Sequence, residues 1–190
     1  MTNTVELIGE LNPRSGWRAE RCSLARALEI VSTRSAFLLL REAFYGTERF
    51  DDFADRVGIS DPVTAARLKE LVGHGLLVRE PYQEPGQRTR YAYRLSEMGA
   101  DLFPALAAMM AWGDRWGSDG AGAPAIIRHT SCGAVTTAQV TCSQCGEPLE
   151  LGACTTEAGP AGRTGPRTRV LGPMRAARRA HAAGATEARR

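Results

Sequence analysis

The most constraining feature of the sequence is a helix stop followed at once by a helix start. Phe50, Phe53, Ala54 and Val57 recur at helical spacing, so 50–57 predicts a short helix with one apolar face. Gly58 ends it. Asp61-Pro62 then opens another helix. The aspartate is expected to cap the orphan N–H groups, and Pro62 fits the first turn, where its missing N–H costs nothing. This second helix is predicted to run to about Val72 and to end at Gly73 or Gly75. A turn this short folds the second helix across the first rather than continuing it.

The flanking segments complete the pattern. Leu24, Ala27, Leu28 and Val31 predict a helix over 22–32, and Phe37, Leu38, Leu40 and Phe44 another over 35–45, closed by Gly46. After the central pair, Leu76-Leu77-Val78 is β-like and Tyr91–Leu95 alternates as a strand does, with a turn-rich loop from Pro81 to Arg90 between them. Ser96 is expected to cap a last helix through about Trp116, kinked at Pro104. The expectation is a mainly α fold with a small β-hairpin wing, in the order of a winged helix-turn-helix.

That order suggests how nucleic acid could be read. A helix of this diameter fits the major groove, its predecessor braces it, and the ribbon loop reaches the backbone or minor groove. On a wheel of 100° per residue from Pro62, Ala66 lies near about 40°, Lys69 near about 340° and Ala65 near about 300°. Thr64, Leu68 and Leu71 cluster on the far side. One side therefore packs inward, and the other offers small residues and a cation. Arg67 sits on the flank, where a phosphate, Glu70 or Asp51 is an equal partner. An amphipathic helix with a merely solvated polar face is the ordinary alternative. The loop adds Arg88 and Arg90, with Arg94 beyond, and only Glu84 nearby opposes them.

Several blocks in order carry a resemblance: Cys22-Ser-Leu-Ala-Arg-Ala-Leu-Glu, Arg49-Phe-Asp-Asp-Phe, Ile59-Ser, Arg67-Leu-Lys-Glu-Leu, Gly75-Leu and Tyr93-Arg-Leu-Ser-Glu-Met-Gly. Together they resemble the HxlR-type winged helix-turn-helix regulators of bacteria. The resemblance implies a homodimer that binds a double-stranded DNA operator by the Pro62 helix (about 61–73) in the major groove and the 83–90 wing on the backbone or minor groove, and a repressor is expected. Arg49, Ser60, Pro62, Ala65, Ala66, Arg67, Lys69, Arg88 and Arg90 would then be the DNA-facing residues. The first and last helices would form the dimer contact through Leu24, Leu28, Leu102, Leu106, Met109, Trp112 and Trp116. The apolar excess of the last helix supports that independently. The sequence departs from the family at Ser23, where relatives have Pro, and at Thr33-Arg34-Ser35, where they have a Gly-Lys-Trp-like segment. Where relatives carry long polar side chains on the recognition helix, this chain has Pro62, Ala65 and Ala66. Some family members sense oxidants or electrophiles through an N-terminal Cys. Cys22 is the candidate, since it follows Arg21 at a helix start, a setting that favours a thiolate. A small residue covered at the dimer contact is the plainer reading of Cys22. An effector, small molecule or oxidant, is left unspecified.

The remaining cysteines cluster. His129-Thr-Ser-Cys132-Gly133 and Cys142-Ser-Gln-Cys145-Gly146 are two copies of ligand-x-x-Cys-Gly. Each resembles a zinc knuckle, and together they resemble a miniature zinc ribbon holding structural zinc through His129, Cys132, Cys142 and Cys145, with Cys154 as a rival fourth ligand. A cysteine-rich appendage with reduced thiols and no metal is the alternative.

Charge sharpens the division into parts. Residues 156–190 hold eight Arg against two Glu, so the overall charge of +3 leaves residues 1–155 at −3. The basic balance belongs to the tail, and any DNA affinity of the folded part must rest on locally grouped cations. The expected parts are a flexible arm (1–21), a DNA-binding and dimerisation domain (22–120), a Cys-rich β-hairpin unit (125–154) behind a Gly/Ala/Pro linker, and a disordered Arg-rich tail (155–190). Nothing at the start resembles a secretory leader and no segment has membrane-span length, so a cytoplasmic protein without membrane partners is expected. His74, in a Gly-His-Gly turn, and His181, in the tail, have no evident role. Common phosphate-loop, serine-hydrolase and metalloprotease motifs are absent, so no enzyme is expected. The competing reading is an adaptor whose zinc ribbon binds protein or RNA while the winged helix is only a scaffold.

Overall fold

The structure, a computed structural model, describes residues 4–12, 22–117, 120 and 122–160. The linker positions 118, 119 and 121, arm residues 13–21 and the tail from 161, with His181, lie outside the described residues. In chain order the elements are β1 (Glu6–Leu7), α1 (Ser23–Val31), α2 (Arg34–Phe44), α3 (Phe50–Val57), α4 (Asp61–Gly73), β2 (Leu77–Tyr82), β3 (Arg90–Leu95), α5 (Glu97–Ala100), α6 (Phe103–Trp116), β4 (Ile127–Arg128), β5 (Val135–Thr136) and β6 (Thr155–Thr156). The chain divides into two compact units. One is Ala27–Leu106. The other comprises the described residues up to Arg26 and from Ala107 onward.

The first unit is built around Leu39, Leu40, Phe53, Leu68, Leu71 and Leu77, all essentially inaccessible to solvent. Leu39 and Leu40 come from α2, Phe53 from α3, Leu68 and Leu71 from α4, and Leu77 from β2, so each element contributes its apolar face to one core. The Tyr93 ring meets Phe53 edge to face at 6.3 Å. The N-caps follow local chemistry. Thr33 Oγ1 accepts the Ala36 N–H (3.1 Å) and Ser96 Oγ accepts the Gly99 N–H (3.0 Å). A buried carboxylate, Glu42, closes the end of α2: it accepts from Arg41 at 2.7 Å and from the Thr47 hydroxyl, which in turn accepts from Arg56 of α3.

β2 and β3 form an antiparallel ribbon with Leu77 opposite Leu95 and Tyr82 opposite Arg90. It is longer than its sequence suggests. Pro81 and Tyr82, expected in the loop, are strand residues paired with Tyr91 and Arg90. Proline is tolerated at such an edge, where its missing donor is not required. An isolated bridge from Arg49 to Ala92, with the Tyr93 N–H donating to the Glu48 carbonyl at 2.8 Å, ties the residues before α3 to β3. The last helix also differs from expectation. It is two helices, α5 and α6, broken at Asp101–Leu102, with Pro104 in the first turn of α6. At that position proline opens a helix and does not kink one.

In the second unit β1 pairs in parallel with β6, Glu6 opposite Thr155 and Leu7 opposite Thr156. Residues 4–12, expected within a loose arm, thus contain a strand and a buried Leu11. Residues 155 and 156, expected as the start of a disordered tail, form its partner. Two β-branched threonines suffice for such a pair, but only the partner, almost 150 residues away, reveals it. β4 and β5 form a hairpin, Ile127 opposite Thr136. Ile127, Val135 and Thr136 of the hairpin, with Met110 and Ala111 of α6, line a shallow cleft of about 360 Å³. No helix among the described residues is long and apolar enough to cross a membrane.

Candidate nucleic-acid interface

The turn between α3 and α4 is set by Gly58, which adopts a left-handed conformation (φ 68°) and donates its N–H to the Ala54 carbonyl at 2.9 Å. Only glycine enters that region without strain. The next helix is capped at Ser60, not at Asp61, which is already helical. Ser60 contributes its carbonyl: the Thr64 N–H (2.9 Å) and hydroxyl (3.1 Å) both donate to it. Thr64 is fully buried, and this second bond satisfies its hydroxyl.

Burial divides α4 as the helical wheel requires. Thr64, Leu68 and Leu71 are sealed in the core, while Pro62, Ala65, Ala66 and Lys69 are exposed. The outward side thus has short side chains over two turns and a cation beyond them. Arg67 is half-buried and paired with Glu70. Of its equal partners in the sequence, the local i,i+3 carboxylate has it, while Asp51 lies 3.7 Å from Arg90.

The ribbon's cations are more heavily engaged than the sequence implies. Arg94 grips Glu48 through Nε (2.8 Å) and Nη2 (3.0 Å) and Glu80 through Nη1 (2.7 Å). These bonds hold the Glu48 carboxyl below its ordinary value and raise the Arg94 guanidinium. Arg49, the residue before α3, reaches Glu84 at 3.1 Å and lies 5.6 Å over the Tyr82 ring. Arg90 and Arg94 therefore have carboxylate neighbours, and Arg88 at the tip and Lys69 on α4 form no ion pair among the described residues. The sequence reading passed over Arg79, stacked 3.4 Å over Tyr91, and Glu48, which neutralises Arg94. Both relations depend on strand register, which no local pattern discloses. Arg49, Phe50, Asp51, Tyr82, Arg90 and Tyr91 line an open cleft of about 350 Å³ at the loop end of the ribbon.

The residues expected at a dimer contact fall into two groups. Leu24 and Leu28 on α1 are exposed, as are Met109 (56%), Trp112 (67%) and Trp116 (66%) on α6. The α6 trio recurs at i, i+3 and i+7, a single stripe. Leu106 is buried, and Leu102 is half-buried against the core of the Ala27–Leu106 unit, so neither is presented outward. Leu102 sits at the α5–α6 break, which turns it inward. Cys22 is half-buried at the start of α1, its carbonyl accepting the Arg26 N–H at 3.1 Å.

The four expected zinc ligands are brought together in pairs, not as one cluster. His129 Nδ1 lies 3.4 Å from Cys132 Sγ. Cys142 accepts hydrogen bonds from the backbone N–H groups of Cys145 and Gln144, which lower its thiol from the ordinary value. No three His, Cys, Asp or Glu side chains among the described residues converge on one point, and Cys154 is likewise a free thiol. Each pair is fixed by its own turn, whereas nothing local brings one turn onto the other.

Comparison with known proteins places this geometry. The HxlR-like helix-turn-helix model matches residues 30–121. Rv3095 of Mycobacterium tuberculosis, named an uncharacterized HTH-type transcriptional regulator, is 41% identical over 143 residues, 75% of this chain and 89% of its own length. That span exceeds the family model, so the likeness runs beyond the helix-turn-helix. The regulator sll1512 of Synechocystis is 30% identical over 96 residues, covering 50% of this chain and 70% of its own. Among solved structures, PA1607, a candidate transcription factor, superposes with a TM-score of 0.64 at 29% identity, covering 72% of this chain and 94% of its own. PA1374 of Pseudomonas aeruginosa gives 0.52 at 32% identity, covering 74% and 94%. With its Gly58 turn, its small-faced α4 and its two-stranded wing, the chain belongs to the HxlR-like helix-turn-helix family of transcriptional regulators.

Proposed function

We propose that the protein is a sequence-specific repressor that acts as a homodimer on a two-fold symmetric operator. The carrying observation is the division of α4. Its core side is sealed by Thr64, Leu68 and Leu71, and its free side offers Pro62, Ala65 and Ala66, short enough for the helix to approach base edges closely. Ala methyl groups can pack against thymine methyls there. Lys69 and Arg88, which form no ion pair among the described residues, supply phosphate contacts, with Arg49 and Arg90 released from Glu84 and Asp51 when a phosphate competes for them. Pairing through α1 and α6 is supported by the exposed stripe of Met109, Trp112 and Trp116.

The test is recovery of genomic fragments bound by the purified full chain, followed by sequencing. A short inverted repeat with half-sites spaced by about one helical turn, or a multiple of it, is expected. Uniform recovery without a shared motif would overturn the sequence-specific reading. A reporter placed behind the recovered fragment should rise when the protein is absent. A fall would reverse the sign of regulation.

A further inference from the structure

The segment 122–160 has a defined backbone but no core. None of its described residues is buried, and Ile126, Val135, Val140, Leu149 and Leu151 are all exposed. A segment that buries so little apolar surface cannot offset the entropy of ordering itself, so something outside ordinary packing must hold it.

Its two turns are built alike. In the first, the Gly133 N–H donates to the His129 carbonyl at 2.8 Å, and the His129 N–H to the Ala134 carbonyl at 2.9 Å. In the second, the Gly146 N–H donates to the Cys142 carbonyl at 2.8 Å, and the Cys142 N–H to the Glu147 carbonyl at 2.8 Å. Gly133 and Gly146 both lie in the left-handed region, at φ 70° and 78°. Each turn caps a β-hairpin: β4–β5 for the first, and the Thr141–Pro148 bridge for the second. Each carries two metal-ligating residues three positions apart in the same tight bend, His129 Nδ1 lying 3.4 Å from Cys132 Sγ in the first. Chance would not give two turns of one segment the same bonds, the same glycine and donors at the same positions.

The geometry points to a structural metal site whose halves are these turns, closed when one tetrahedral divalent cation is held by the His129 imidazole and the thiolates of Cys132, Cys142 and Cys145. One nitrogen and three sulfur donors suit zinc, and a structural site of four protein ligands leaves no open position for catalysis. The ion would supply what the missing core does not, joining two hairpins that share no buried side chain. Cys154 precedes β6, outside either turn, and is assigned no role in the site. The inference does not depend on DNA binding.

The experiment uses the full chain. Zinc per chain is measured by mass spectrometry on the natively purified protein, and X-ray absorption reads the ligand shell. The expected result is one zinc per chain, with three sulfur neighbours at about 2.3 Å and one nitrogen at about 2.0 Å. Refilling the stripped protein with cobalt(II) should give the intense visible bands of a tetrahedral ion and a thiolate charge-transfer band in the near ultraviolet. Cys132→Ser and Cys145→Ser should each lose those bands, and Cys154→Ser and Cys22→Ser should keep them. Absence of stoichiometric zinc together with failure to take up cobalt would overturn the proposal. So would an octahedral cobalt spectrum, or bands that vanish with Cys154→Ser and persist with His129→Ala. The zinc content and absorption measurements need no variant, so misfolding of a variant cannot mask a negative result.

Discussion

A side chain on Gly99 would place its first carbon 2.1 Å from the carbonyl oxygen of Leu76. α5 is pressed this closely onto the chain entering β2, and the Ser96 hydroxyl reaches the same stretch through the Gly75 and Leu76 carbonyls. Because the obstruction is backbone, a larger residue cannot be relieved by a rotamer change. Gly99→Ala is expected to cost about 1–3 kcal/mol, as overpacking does. Gly73→Ala, with open space at its Cβ and an ordinary helical backbone, should be neutral or slightly stabilising. Thermal unfolding of the two variants side by side checks this, and equal midpoints would contradict it.

Arg94 and Glu48 set a pH dependence at the wing. Hydrogen bonding to Arg94 depresses the Glu48 carboxyl, against a smaller opposing effect of desolvation. The folded value lies below the unfolded one, so the pair's contribution is complete above the ordinary carboxylate range and is lost as pH falls through the folded value. The ribbon should keep its pairing at mildly acidic pH and loosen only in stronger acid. Carbon-detected NMR titration of Glu48 should show a low midpoint that moves up toward the ordinary range in Arg94→Gln. Both groups are exposed, so global stability should change little.

For DNA, the cations and the small residues should fail differently. Arg88→Ala and Lys69→Ala should weaken binding to every sequence and reduce the slope of log affinity against log salt by up to about one each. Ala65→Gln or Ala66→Gln should redistribute sequence preference with little change in slope. Asp51→Asn, which removes the carboxylate 3.7 Å from Arg90, should tighten binding. Anisotropy titrations on the operator and a scrambled duplex over a salt series separate the three outcomes.

Trp112→Asp introduces a charge into the middle of the exposed α6 stripe without touching the core. If that stripe joins two copies, the variant should sediment as a monomer at concentrations where the parent is dimeric, with an unchanged helical circular-dichroism spectrum. A parent that sediments as a monomer would remove the proposed dimer directly.

Local chemistry made much of this molecule legible in its sequence. The helix stop at Gly58, the cap at Ser96 and the inward set Thr64, Leu68 and Leu71 follow from spacing and turn residues, which act within a few positions. What escaped depends on partners distant in sequence. The strand character of Pro81 and Tyr82 needs Tyr91 and Arg90 opposite, the neutralisation of Arg94 needs Glu48, and the close approach at Gly99 needs Leu76. Ser60 rather than Asp61 caps α4 because a backbone carbonyl, which every residue carries, receives the Thr64 bonds. The half-burial of Leu102 likewise depends on the α5–α6 break, which spacing alone does not disclose.

The parallel pairing of Glu6–Leu7 with Thr155–Thr156 has a consequence for synthesis. A ribosome must deliver residue 156 before residue 6 meets its mate, a wait on the order of ten seconds at usual elongation rates. The Ala27–Leu106 core can assemble long before that. The first of the described strands to be synthesised is therefore among the last to close, and until it does the nascent chain carries an unpaired segment that ribosome-associated chaperones could hold.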